Sequence, residues 1–125
     1  MSQTIRIAVP TSGEGGIDAP RSAHFGHAES FTIVDVAEGR IESSTVVNNP
    51  PHSHGGCGQT VRLLADNGVT VAIVVGMGRG PLSMMQPAGI VALFDDASPT
   101  PRAATEAYLA GGLTPFGDDR VCAGH

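Results

Sequence analysis

The sequence predicts a mixed α/β fold, one sheet of five strands flanked by helices, and three observations carry the prediction. Apolar residues alternate through the first ten positions. Glu38-Gly39 joins two further alternating runs by a link of hairpin length. From Val61 the apolar period lengthens from two to about 3.6. A short link makes antiparallel neighbours, whereas strands alternating with helices make parallel ones, so the sheet should have an antiparallel part and a parallel part.

In order along the chain, residues 4–9 set Ile5, Ile7 and Val9 against Arg6 and Ala8, and Pro10 with Thr11-Ser-Gly13 ends that strand. A long loop follows to Ser30. Residues 31–36 and 40–47 form the hairpin, closed by Asn48-Asn-Pro-Pro51. Val61, Leu64, Ala65 and Gly68 share a helical face, with Asn67-Gly68 as the stop. Residues 70–75 read as a buried strand. Gly76-Met-Gly-Arg-Gly80 then turns into a short helix beginning at Pro81, where a missing N–H costs nothing, and ended by Pro87 and Gly89. Residues 90–94 give the fifth strand. Thr100 opens a last helix over residues 101–110, with Ala104, Ala107 and Tyr108 inward and Gly111-Gly112 beyond it. The domain is expected to span residues 1–112, and residues 113–125, which have no period, to form a mobile C-terminal tail.

Length and charge narrow the function. A chain of 125 residues suits one domain with a real apolar core. The formal charge is −5 and all seven basic residues are dispersed arginines, so nucleic acid and anionic membranes are poor partners. The absence of lysine excludes a lysine Schiff base and a phosphate-loop lysine. With no membrane-length apolar run and no secretory pattern at its start, the chain is expected to be cytoplasmic.

All five histidines and both cysteines fall in three loop-like windows: His24-Phe-Gly-His27, His52-Ser-His54-Gly-Gly-Cys57 and Cys122-Ala-Gly-His125. Imidazole and thiolate suit borderline and soft metals, and glycines let the backbone fold about one centre, so His24, His27, His52, His54 and Cys57 are the leading candidate ligands. Cys122 and His125 have zinc-like spacing but lie in the tail, where an accidental pair is an equal reading. Two cysteines are too few for the four thiolates of a cluster built on this chain alone. The options are a mixed His/Cys site for a single iron or zinc ion, a site shared across a homodimer, or a preformed cluster that needs few protein ligands. A Cys57–Cys122 disulfide is disfavoured in a cytoplasmic chain. Gly76, Gly78 and Arg79 lie at a strand end before a helix, where N–H groups can face an anion, although the spacing is not that of a dinucleotide fingerprint.

On these residues the chain resembles the dinitrogenase iron-molybdenum cofactor biosynthesis family of small nitrogenase accessory proteins. The resemblance covers residues 4–112. It rests on Ile5-Arg-Ile-Ala-Val-Pro10, on Ser22-Ala-His24-Phe-Gly26 leading to Phe31-Thr-Ile-Val-Asp35, on Asn49-Pro50 with its His/Gly/Cys segment, and on Val74-Val-Gly76-Met-Gly78. It implies a ribonuclease H-like fold without nuclease activity, and a non-catalytic carrier or accessory role toward an iron-sulfur or iron-molybdenum type cluster. A cluster donor or acceptor protein would be its partner. His24 would be the first cluster-proximal ligand, with Gly26 among the cofactor-binding residues. The chain departs from the family's pattern at His27, where an arginine is common, at Pro87, which shortens a helix, and in its Cys122/His125 tail.

A mononuclear His/Cys metal protein, either a structural zinc site or a metallohydrolase, is the alternative. The hydrolase needs a carboxylate base, and only Asp18 and Glu29 flank the first window. A nuclease would have to draw on Asp35 with Asp95 or Asp96, which make no convincing acidic cluster.

Overall fold

A computed structural model describes residues 4–49 and 56–117. The strands are β1 (Thr4–Thr11), β2 (Ser30–Ala37), β3 (Arg40–Asn48), β4 (Val71–Val74), β5 (Val91–Phe94) and β6 (Thr114–Pro115). The helices are α1 (Gly56–Asp66), α2 (Arg79–Met85) and α3 (Pro101–Leu109).

They form one sheet in the order β3-β2-β1-β4-β5-β6. β2 is antiparallel to both β1 and β3, whereas β1, β4 and β5 run parallel. The β2–β3 turn has both central residues at positive φ, Glu38 at 54° and Gly39 at 78°, the handedness that a two-residue hairpin needs.

Alternation along β1 and β4 divides the core in two. Ile7, Val9, Val71 and Ile73 join Val34, Val36 and Ala104 of α3 on one face. Ala8, Ala72 and Val74 join Val61 and Leu64 of α1 and Met85 of α2 on the other. Both faces of the central strands are therefore dry, which is why β2 and β4 read as nearly continuous apolar runs. α3 begins as its sequence predicts: Pro101 follows Thr100, whose Oγ1 accepts from the Ala103 N–H at 3.1 Å.

The expectation of five strands is corrected to six. Thr114-Pro115 pairs with Phe94 and Leu93 of β5, the Phe116 N–H donates to the Ala92 carbonyl at 2.9 Å, and the buried Phe116 ring lies 6.3 Å from Phe94. Residues 113–116 thus belong to the folded domain rather than to a mobile tail, with Leu113 packed on the α3 face and Thr114-Pro115 forming β6. A two-residue strand ending in proline has no alternation to read, and proline is tolerated there because the strand is at an edge.

Candidate functional site at the carboxyl end of the sheet

The chain leaves β1 toward β2 on one side, while β4 pairs with its other side. This is a switch point, and in such sheets the carboxyl ends of the flanking strands border a natural crevice. Residues 12–29 pass across it as a strap. The first half lies on the α3 face, where the Ile17 carbonyl accepts from the Arg102 N–H at 2.9 Å. The second half lies on the α1/α2 face, where Phe25 and Ala28 enter the core.

His24 is carried by this second half. It makes an isolated parallel bridge with Gly76, just past the end of β4, and the Phe25 N–H donates to the Gly76 carbonyl at 3.1 Å. Phe25 is 1% exposed and its ring lies 5.4 Å from that of Phe31. Its burial directs the side chains of His24 and His27 outward, and both are exposed. Asn49, the residue after β3, fixes the remainder: its Nδ2 donates to the Gly26 and Ala28 carbonyls at 3.2 and 2.8 Å, and its N–H donates to the Glu29 carbonyl at 3.2 Å.

The glycine turn is therefore a neighbour of the first histidine window. Met77, 2% exposed, anchors it, Gly78 is the N-cap of α2, and Arg79 is the exposed first residue of that helix. α2 starts at Arg79 rather than at Pro81, which lies buried in its first turn. Cys57 is the second residue of α1, not a loop residue as its glycine-rich surroundings suggested. His52, His54, Cys122 and His125 lie outside the described residues. Among the described residues no group of three or more His, Cys, Asp or Glu side chains converges. His24 and His27 are the two imidazoles among the described residues.

Residues that sequence reading passed over hold the strap in place. The Arg21 guanidinium, with its side chain 5% exposed, donates from Nη1 to Asp95 Oδ2 at 2.8 Å and to the Ser98 carbonyl at 3.0 Å. Burial pushes the Arg21 guanidinium below its ordinary value, against the pull of Asp95. Among the described residues, Arg21 Nε and Nη2 are buried without an acceptor. Thr11, Ser30 and Thr32 form a buried hydroxyl chain, with Thr11 Oγ1 2.7 Å from Ser30 Oγ and 3.2 Å from Thr32 Oγ1. It reaches the Gly13 and Gly16 carbonyls. The only hint in the sequence was the small hydroxyl residues near the strand ends, Thr11, Ser30 and Thr32.

Four of the acids that other chemistries would draw on are engaged. Asp35 receives Arg6 Nε at 2.8 Å, Asp95 receives Arg21, Asp18 receives Arg102 Nε at 2.9 Å, and Glu29 Oε1 accepts the Gly13 N–H at 2.7 Å.

A mixed sheet with a switch point, crossed by a His-Phe-Gly-His strap beside a glycine turn, defines a small α/β protein. Residues 3–111 match the family described as dinitrogenase iron-molybdenum cofactor, and the chain belongs to it. An uncharacterized protein of Methanocaldococcus jannaschii is 33% identical over 89 residues, covering 69% of this chain and 70% of its own length. The FeMo cofactor biosynthesis protein NifB of Sinorhizobium fredii is 29% identical over 91 residues, 70% of this chain but 18% of NifB. Among solved structures, the apo form of the orange protein of Desulfovibrio gigas superposes with a TM-score of 0.80 at 28% identity, covering 93% of this chain and 96% of that one. Among the described residues no helix is long and apolar enough to cross a membrane.

Proposed function

We propose that this protein is a non-catalytic carrier that holds a preformed iron-sulfur or iron-molybdenum type cluster as cargo at the carboxyl end of its sheet. The observation that carries the reading is the His24–Gly76 bridge, which makes one site of two segments far apart in sequence. His24 is the first ligand and His27 the second, three residues on along the strap. His52, His54 and Cys57 supply further donors from the segment that follows Asn49. Gly26, Gly76 and Gly78 let the cluster approach the backbone, and Arg79 offers charge to an anionic cargo. β6 runs antiparallel to β5, toward the amino end of the sheet. Cys122 and His125 lie beyond the residues that the family match covers, so in this reading they are the least committed of the candidate ligands.

The strand order β3-β2-β1-β4-β5 supports the ribonuclease H-like reading, and the pairing of Asp35 and Asp95 to arginines disfavours a nuclease. A hydrolase is disfavoured in the same way, since Asp18 and Glu29 are engaged. A cytoplasmic donor or acceptor protein would exchange the cargo, and a second copy of the chain could complete its ligands. A single iron or zinc ion held by the same histidines is the second reading, favoured by the softness of the donor set.

Metal and acid-labile sulfide analysis, with an absorption spectrum, on protein purified without oxygen from iron-replete cells tests the proposal. Iron with sulfide in the wild type, lost in His24→Ala, is the expected result. Sulfide-free zinc would move the conclusion to the second reading.

A further inference from the structure

The Arg21–Asp95 pair is costly for what it adds to stability. Taking two charges out of water is repaid only when geometry is excellent and the remaining donors are met, and apolar replacements of such pairs are often as stable or more so. Here both side chains are under a tenth exposed, yet Arg21 Nε and Nη2 have no acceptor among the described residues. The same nitrogens of Arg6 and Arg102 each make the two-point contact to a carboxylate that suits this edge of the guanidinium. What the pair does supply is direction. Arg21 lies three residues before His24 and bridges Thr11 at the end of β1, while its side chain reaches Asp95 and Ser98 beyond β5. The Ser22 N–H donates to the Pro10 carbonyl at 2.9 Å, and Phe25 is bonded to Gly76 beyond β4. The short segment carrying His24 is thereby tied to three strand ends at once.

We infer that Arg21 is a positioning residue for the His24 site, its buried contact with Asp95 and Ser98 setting where the strap presents His24 beside Gly76. The inference rests on the cargo reading above, since it assigns to Arg21 the placing of the proposed ligand. An apolar substitute would fill the space but would not select one register of the strap.

The test uses the full chain as Arg21→Met and as the double variant Arg21→Met/Asp95→Leu. The double variant removes the penalty of an unpaired Asp95 that could unfold the single one. Two readouts are taken: amide hydrogen exchange at Phe25 on the metal-free protein, and uptake of ferrous iron with sulfide under anaerobic reconstitution. The expected result for the double variant is a thermal midpoint at or above wild type, Phe25 exchange that rises toward a loop amide's while Ile7 and Val34 stay protected, and iron-sulfide affinity about tenfold or more weaker. Wild-type protection at Phe25 with wild-type uptake would overturn the inference. So would protection lost uniformly at Phe25, Ile7 and Val34, which would make the pair a plain stabilising contact. If the wild type takes up no iron and sulfide, the cargo reading fails by itself, and the Phe25 exchange still decides whether Arg21 places the strap.

Discussion

The two halves of the strap are held by opposite means. Residues 12–21, on the α3 face, are fastened by polar contacts: the Thr11/Ser30/Thr32 hydroxyl chain, the exposed Asp18–Arg102 pair and the buried Arg21–Asp95 pair. Residues 22–29, on the other face, are fastened by buried Phe25 and Ala28, with the Asn49 side chain and the Ser22 and Phe25 N–H bonds to Pro10 and Gly76 as directing contacts. Burial of an apolar side chain supplies stability without direction, whereas hydrogen bonds supply direction with modest net stability. The half bearing the histidines takes its stability from Phe25 and its placement from groups outside it, with His24 and His27 exposed.

The largest effect should come from the apolar fastening. Phe25→Ala removes a ring that is 1% exposed and should cost about 3–5 kcal/mol in denaturant unfolding. It should also release Phe25 from Gly76, so that metal binding weakens along with stability. On the polar half, Gly15→Ala meets two obstacles. Gly15 has φ of 75°, and an added Cβ would lie 2.7 Å from Ser30 Oγ and 3.0 Å from Thr11 Oγ1. A loss of about 1–3 kcal/mol is expected for such a position, with His24-dependent binding affected less than by Phe25→Ala. Equal damage to binding from both would show that the halves do not move separately.

Asn49→Ala should cost about 1–2 kcal/mol, since two carbonyls lose their donor, and it should loosen Gly26 and Ala28 without disturbing residues 12–21. Chemical shifts of the strap amides would check this. The smallest effect belongs to Asp18→Asn. The Arg102 hydrogen bond holds the Asp18 carboxyl below its ordinary value of 3.8, so its contribution is complete above that pH and fades as pH falls through the lowered value. Wild type and Asp18→Asn should therefore differ slightly near neutral pH and converge in acid, as followed by thermal midpoints across pH.

Legibility followed the same division. Strands and helices with strong periods were readable, because Ile5, Ile7 and Val9 or Val61 and Leu64 must share a face to reach the core. β6 was not, being two residues long and held by a single neighbouring strand. The start of α1 was hidden by glycines that have weak helical preference, which is why Cys57 was read as a loop residue. In the site, His24 with Gly76 and Gly78 could be found as motifs, but their adjacency depends on which strands pair across the switch point. Arg21 and Asp95, separated by 74 positions, were invisible as a pair for the same reason. A lone arginine in a loop reads as solvated until the fold closes around it.

The central claim is that His24 ligates a metal-sulfur cargo beside Gly76. X-ray absorption at the iron or molybdenum edge of the loaded protein tests it most directly. The account predicts a sulfur shell about the metal together with a light-atom imidazole contribution that disappears in His24→Ala. A spectrum unchanged by that substitution, or one with nitrogen and oxygen neighbours and no sulfur, would contradict it.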